Sequence, residues 1–180
     1  LLEAQPSLGG GLRSAELTLP GFVHDVCSAV HPLALGAPFF KQLALERFGL
    51  KWIQPELPLA HPLEKQSAAA LYRSVDETAR HLGPDAEAYR QLFAAFVARA
   101  DDLCPEILRP LLHWPRHPLL LARFGLQGAR SAAALVRNRS QGESPRALFA
   151  GLAAHSFLPL EAPFSASFGL VLGLLGHAFG

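Results

Sequence analysis

The sequence is poor in several residue types that define common protein classes. Its 180 residues include no methionine, two cysteines, two tryptophans and two tyrosines. Two cysteines, Cys27 and Cys104, are too few for the disulfide framework on which small secreted domains depend, and they fit a reducing compartment. A disulfide-stabilised extracellular scaffold is therefore excluded.

Charge is also scarce and nearly balanced. Only 17% of the residues are charged, and 16 basic and 15 acidic side chains leave a formal net charge of +1. Nucleic-acid binding requires a basic stripe that neutralises phosphates, and this chain has no such excess. We therefore expect no nucleic-acid partner.

Long apolar runs are missing, although half of the residues are hydrophobic. No stretch reaches the roughly 18–20 apolar residues that cross a bilayer. The nearest is 164–180, which Ser165, Ser167 and His177 interrupt. It predicts a buried helix, and no leader segment is recognisable.

Several catalytic motifs are absent as well. The chain has no Gly-x-Ser-x-Gly elbow, phosphate-binding loop or Cys-x-x-Cys pair, so hydrolase, kinase and thiol-redox chemistry have no basis in motifs. His113 and His117 have a zinc-like spacing, but Pro115 lies between them and no third ligand is near. We expect no metal site.

The opening residues carry the most informative pattern that is present. The apolar Leu1-Leu2 ends at Glu3, and Pro6, the glycines 9–11 and Arg13 follow. In dinucleotide-binding folds, a carboxylate at the end of the second strand binds the adenosine ribose about 20 residues after a glycine-rich fingerprint. Because that fingerprint and an initiator methionine are both missing, we expect an internal piece of a longer protein. Its first strand, glycine-rich turn and first helix would precede Leu1.

The first seventy residues predict short, turn-rich elements. Alternation over 15–19 indicates a strand that ends at the turn Pro20-Gly21. Pro38 and Gly49 bracket a predicted helix over 39–48. Short strands are predicted at 51–54 and around 69–72.

The remainder is predominantly helical in pattern. Ser74 and Glu77 form a capping box for a helix that should end near residue 83. Further helices are predicted over 119–136, from Ser144-Pro145 to about 155, and over 165–179. One apolar helical face has spacings of three and four and comprises Tyr89, Leu92, Phe93, Phe96, Val97, Ala100 and Leu103. The predicted fold class is a helix-rich α+β chain with a few short strands.

Three segments near the beginning carry a family likeness. Glu3, the loop Gly9-Gly10-Gly11-Leu12-Arg13-Ser14 and the run 20–25 resemble the FAD-binding region of phytoene-desaturase-like and amine-oxidase-like flavoproteins. Segments 26–40, 60–63 and 148–160 resemble phytoene-dehydrogenase-related oxidoreductases. The resemblance implies an α/β parent protein with a Rossmann-type FAD-binding fold.

That resemblance also implies roles for individual residues. Glu3 would bind the ribose, Gly9, Gly10, Gly11 and Ser14 would lie near the pyrophosphate, and Arg13 would contact phosphate or flavin. His24 and Asp25 would approach the flavin. The sequence departs from the family at two positions, since Gly11 stands where an arginine is frequent and Cys27 where a glycine is frequent.

Domain organisation follows from the same likeness. Residues 1–35 would belong to the FAD-binding domain, 36–160 to a helix-rich substrate-side domain, and 161–180 to a helix returning toward the cofactor. The parent would be an FAD-dependent oxidoreductase that transfers hydride from an apolar, isoprenoid-like substrate to flavin. No catalytic acid or base is assigned.

The composition also leads to expectations about the substrate and the location of the protein. Twelve phenylalanines suit the walls of an apolar cavity. We expect a cytoplasmic protein, for which a lipophilic substrate favours peripheral membrane contact, although no basic amphipathic helix supports it. The alternative is a non-catalytic, helix-rich module that binds lipid or a protein partner, because no catalytic constellation is recognisable.

Overall fold

The computed structural model describes residues 2–64, 68–110 and 112–179. The chain divides into two compact units, Leu1–His31 and Pro32–Gly180. Within the described ranges, nine α-helices, three 3₁₀-helices and two small antiparallel sheets are found. The predicted helix-rich α+β class is therefore confirmed.

The first unit is built on a short β-hairpin. Strands β1 (Ser14–Glu16) and β2 (Val23–Asp25) pair antiparallel, with Ala15 opposite His24. The amide of Phe22 donates to the carbonyl of Leu19 at 3.1 Å, which closes a turn whose central residues are Pro20 and Gly21. Proline followed by a residue with positive φ is typical of a type II turn, and Gly21 has a φ of 84°. The predicted turn is confirmed, and the strand before it ends three residues earlier than expected.

Local hydrogen bonds, rather than a hydrophobic core, hold the first unit. None of the side chains 2–31 is buried, and large apolar groups such as Leu19 and Phe22 are exposed. A two-stranded hairpin is marginally stable in water without further packing. The strand end predicted at 1–3 is not found at Leu2 or Glu3, and Leu1 lies outside the described residues.

The second unit contains the remaining elements. Strands β3 (Leu59–Pro62) and β4 (Ala68–Leu71) pair antiparallel, with Leu59 opposite Leu71. Two 3₁₀-helices span Leu45–Phe48 and Gly83–Asp85. The helices are α1 (Pro32–Gly36), α2 (Pro38–Gln42), α3 (Val75–Arg80), α4 (Ala86–Val97), α5 (Ala100–Ile107), α6 (Pro118–Gly128), α7 (Ala132–Arg137), α8 (Glu143–Ala154) and α9 (Ser165–Ala178).

Most predicted elements of this unit are present with altered boundaries. Ser74 caps α3, and its hydroxyl accepts the Glu77 amide at 3.2 Å. The Glu77 carboxylate pairs with Arg80 and His81 instead of reaching back along the capping box. The apolar face of α4 and α5 is buried as predicted, except that Val97 is half-buried.

Four expectations about secondary structure are wrong. The helix over 39–48 stops at Gln42, because Ala44 takes a left-handed conformation before the 3₁₀-helix. No strand forms at 51–54, and β3 was not anticipated. The helix over 119–136 is two helices, with Ser131 capping the second. Helix α3, which Ser74 caps, ends at Arg80 rather than near residue 83.

Helix α9 lies at the centre of the second unit, and its glycines bring core side chains close to its backbone. A Cβ at Gly169 would lie 2.8 Å from the ring of Phe149, and one at Gly173 would lie 2.5 Å from Phe93. At Gly176 the nearest atom belongs to Leu71, at 3.2 Å. The three glycines therefore make room for the side chains of Phe149, Phe93 and Leu71.

The buried phenylalanines of this unit form packed core. Phe93 contacts Phe149 and Tyr89 as aromatic pairs, with ring centroids 6.4 and 4.9 Å apart. The gap that these three rings line holds only about 20 Å³, room for about one water molecule. The gap beside Phe93 and Phe149 is therefore too small to be the apolar substrate cavity that the composition suggested.

Among the residues that the structure describes, every helix falls short of the combined length and apolar character that crossing a bilayer demands.

Candidate functional site

The glycine-rich loop of the first unit has the backbone conformation that glycine permits. Gly9 and Gly10 have φ values of 125° and 54°, in the region where a Cβ is unfavourable. The Leu12 amide donates to the Gly9 carbonyl at 2.9 Å and closes the turn. A Cβ built on Gly10 would meet nothing within 4 Å, so one side of the loop is open.

Arg13 and Ser14 are held at the end of this loop. The Arg13 Nε donates to the Gly10 carbonyl at 2.8 Å, so the guanidinium folds back over the loop. The Ser14 hydroxyl donates to Asp25 Oδ1 at 3.2 Å across the hairpin. Four predicted site residues thus form two hydrogen-bonded pairs, Arg13 with Gly10 and Ser14 with Asp25.

The hairpin continues beyond its strands and brings a second segment beside the loop. The Val26 amide donates to the Arg13 carbonyl at 2.9 Å, and the Ser28 amide donates to the Gly11 carbonyl at 2.8 Å. A Cβ on Gly11 would lie 3.6 Å from the Cβ of Cys27. Residues 25–28 therefore run alongside the glycine loop.

The two remaining candidates have separate local partners. His24 lies 2.8 Å from the Thr18 hydroxyl through its Nε2. The Glu3 carboxylate accepts the amide of Gln5 at 2.9 Å and is exposed. Their hydrogen bonds do not join Glu3 or His24 to the glycine loop.

A buried tyrosine–histidine pair lies in the second unit, where sequence reasoning assigned no site. The Tyr89 hydroxyl is 2.7 Å from His177 Nε2, and His177 Nδ1 is 3.0 Å from the Arg73 carbonyl. A carbonyl oxygen can only accept a hydrogen bond, so Nδ1 carries the proton and donates to it. Nε2 then accepts a hydrogen bond from the tyrosine hydroxyl. Burial raises the pKa of Tyr89 well above its ordinary value and lowers the pKa of His177. Both groups are neutral, and their polar atoms satisfy each other.

A second polar cluster follows α5. The Glu106 side chain is buried, and its Oε2 lies 2.7 Å from His113 Nε2, while Oε1 accepts the Arg116 amide at 2.8 Å. His113 Nδ1 lies 2.8 Å from the Pro110 carbonyl. Both ring nitrogens of His113 therefore lie within hydrogen-bond distance of oxygen atoms.

The electrostatics of Glu106 reflect this environment. Burial acts to raise the pKa of its carboxyl, but hydrogen bonds from His113 and from the amides of Arg116 and His117 outweigh that effect and lower the pKa. The cluster anchors the connection that Pro110 and Pro115 keep irregular. It is a closed structural arrangement, since each oxygen of Glu106 already has a partner.

The other histidines have individual settings. His117 lies 3.4 Å from Asp102. His155 is exposed, and its Nδ1 lies 3.2 Å from the Gly151 carbonyl. In the described part of the chain, no three His, Cys, Asp or Glu side chains gather as a metal site would require.

Sequence reasoning missed both buried pairs. His177 was recognised as a residue of an apolar helix, but its partner Tyr89 lies 88 positions earlier. His113 was considered only as a metal ligand, although Glu106 lies seven positions before it. The available signal for the second pair was Glu106, an acidic residue three positions after Leu103 on the apolar face of α5.

No protein-family model, curated protein or solved structure matches this chain.

Proposed function

We propose that the chain is part of an FAD-dependent oxidoreductase resembling the phytoene desaturases, and that residues 9–14 contribute to its cofactor site. The observation that carries this proposal is the conformation of the glycine loop, in which Gly9 and Gly10 have positive φ and the side of Gly10 is open. Such loops allow a phosphate to approach backbone amides without a Cβ in the way.

The chemistry of the neighbouring side chains supports the same site. Arg13 is half-buried, and its Nε is held by the Gly10 carbonyl, so the terminal nitrogens remain as donors for a charged oxygen. A guanidinium bonded to phosphate forms a charge-assisted contact, which is stronger than a neutral hydrogen bond. The residues present therefore fit a pyrophosphate-bearing cofactor.

The flavin would be approached by the segment that pairs with the loop. Residues 25–28 lie beside Gly11, and Cys27 supplies a small side chain there. FAD, when bound, would supply the acceptor for a hydride removed from an apolar, isoprenoid-like substrate. The role of this chain's residues is to hold the cofactor and to exclude water from it.

Reading the gene upstream of Leu1 is the first test. The proposal expects an in-frame strand and a Gly-x-Gly-x-x-Gly turn within roughly 30 residues, the length of a first βα unit. A start codon at Leu1 with no such turn would overturn the proposal. A helix-rich binding module would then be the better account.

Flavin content of the full-length parent is the second test. We expect the purified protein to show the visible absorption bands of bound flavin, and Arg13→Gln to lower the flavin stoichiometry. Arg47→Gln is the matched control, since Arg47 is exposed in a 3₁₀-helix of the second unit and should leave stoichiometry unchanged. Absence of flavin from the wild-type protein would contradict the proposal.

A further inference from the structure

A second candidate binding site lies in the second unit, on the surface formed by α4, α6 and the residues after α7. The cavity measures about 360 Å³. Its lining combines arginine, glutamine and apolar side chains and consists of Gln91, Leu92, Phe96, Arg123, Gln127 and Arg139. No carboxylate is among these residues, so the cavity is positively charged.

The arginines at this cavity lack acidic partners. Among the described residues, no carboxylate lies within ion-pair distance of Arg123, Arg130 or Arg139. Burial lowers the pKa of Arg139, and the positive charges of Arg130 and Arg123 lower it further. The Arg139 guanidinium is thus subject to the positive charges of the lining residue Arg123 and of Arg130, which does not line the cavity. None of the ion pairs among the described residues compensates these charges.

Neutral contacts hold two of these cations in place. The Arg139 Nη2 donates to Gln127 Oε1 at 3.0 Å. The Arg123 guanidinium lies over the Phe96 ring, 5.6 Å from its centroid. Each contact orients an arginine without neutralising it, so several N–H donors stay available to an anion.

The combination of these features identifies a class of ligand. Guanidinium groups bind phosphate oxygens in bidentate fashion, and two of them suit an oxyanion with more than one negative charge. Leu92 and Phe96 are buried beneath the arginines, so the surface that the cavity offers to a ligand is mainly polar. The cavity is larger than one phosphate needs. We propose that this cavity binds a phosphomonoester, with its phosphate at Arg123 and Arg139.

This site and the proposed cofactor loop are formed by different units of the chain. All residues of the site belong to the second unit, whereas the glycine loop belongs to the first. The inference therefore does not depend on FAD binding. Phosphomonoesters occur both as free metabolites and as lipid headgroups, and the test distinguishes these sources.

Calorimetric titration of the purified chain with phenyl phosphate tests whether the cavity binds a soluble phosphomonoester. Co-sedimentation with phosphatidylcholine vesicles, with and without phosphatidic acid, tests the lipid source. We expect saturable binding in one arm, weakened about tenfold or more by Arg123→Gln and by Arg139→Gln. Arg109→Gln is the matched control, because Arg109 is exposed and does not line the cavity.

The outcomes separate cleanly. Binding of phenyl phosphate that depends on Arg123 and Arg139 supports a soluble ligand, and binding only to phosphatidic acid vesicles with the same dependence supports a lipid headgroup. Failure to bind in both arms overturns the proposal. So does an Arg109→Gln variant that loses as much affinity as Arg139→Gln, because the attraction would then be unspecific. Circular dichroism of each variant verifies that the fold is intact.

Discussion

The hydroxyl of Tyr89 on α4 lies 2.7 Å from Nε2 of His177 on α9, and both side chains are buried. The pair joins two helices at the centre of the second unit and satisfies polar atoms that water does not reach. A buried group whose partner is removed bears the full cost of desolvation. The pair is therefore a sensitive point for stability.

Removing the tyrosine hydroxyl tests that statement. Tyr89→Phe leaves His177 Nε2 without its donor, and we expect the free energy of unfolding to fall by about 1–3 kcal/mol. Urea denaturation at neutral pH measures the change. Tyr72→Phe is the control, since Tyr72 is half-buried and its hydrogen bonds with Thr78 use its backbone amide and carbonyl. It should change stability by less than about 0.5 kcal/mol. Equal losses in both variants would contradict the role of the pair.

The protonation of His177 predicts a dependence of stability on pH. Burial lowers the pKa of His177 in the folded chain, so the unfolded chain binds the proton more readily. Its stabilising contribution is fully present above the unfolded pKa of about 6.5 and is lost as pH falls toward the folded value. Unfolding free energies measured from about pH 7.5 to about pH 5 should decrease, because protonation favours the unfolded chain.

Two variants separate this effect from other titrations. His177→Gln should flatten the decrease, whereas His155→Gln should keep the wild-type slope because His155 is exposed. The Glu106 carboxyl, whose pKa is lowered, contributes in a lower pH range, below its ordinary value. A His177→Gln chain with the wild-type slope would refute the assignment.

The close contact between α9 and Phe93 predicts a position where alanine is not tolerated. A Cβ at Gly173 would lie 2.5 Å from Cε1 of Phe93, so Gly173→Ala should destabilise the chain by about 1–3 kcal/mol through overpacking. Gly125→Ala is the matched control in α6, where a Cβ meets nothing within 4 Å. That substitution should stabilise by up to about 1 kcal/mol, since alanine is the better helix former. Thermal denaturation of the two variants should therefore move in opposite directions.

The buried carboxylate of Asp85 holds the connection 138–142 between α7 and α8, so we expect the stability of the chain to depend strongly on Asp85. Asp85 is 3% exposed and accepts the amides of Gln141 and Gly142 at 2.8 and 2.7 Å. Asp85→Ala removes both acceptors, each worth about 1.5–3 kcal/mol when the acceptor is charged. Asp76→Ala, which removes an exposed ion pair with Arg90, should cost less than about 1 kcal/mol.

Hydrogen exchange locates the effect of Asp85. The amides of residues 141 and 142 should lose protection in Asp85→Ala and keep it in Asp76→Ala. Unchanged protection in both variants would show that the carboxylate does not hold this connection.

Local sequence signals determined much of the secondary structure. The Pro20-Gly21 turn, the Ser74 cap, the strand at 68–71 and helix α9 were all predictable, because each depends on interactions among residues close in sequence. The positive φ of Gly9 and Gly10 follows from the same principle, since glycine is the residue that adopts it without a Cβ clash. The glycine loop could thus be singled out as a candidate site from the sequence alone.

Tertiary structure decided which distant residues meet. Tyr89 and His177 are 88 positions apart, and Asp85 and Gly142 are 57 positions apart, so no local pattern relates them. The arginines at the 360 Å³ cavity come together only because α4 and α6 pack beside the residues after α7. Sequence periodicity determines which face of a helix is apolar, but the neighbour of that face depends on how all the elements fill one core.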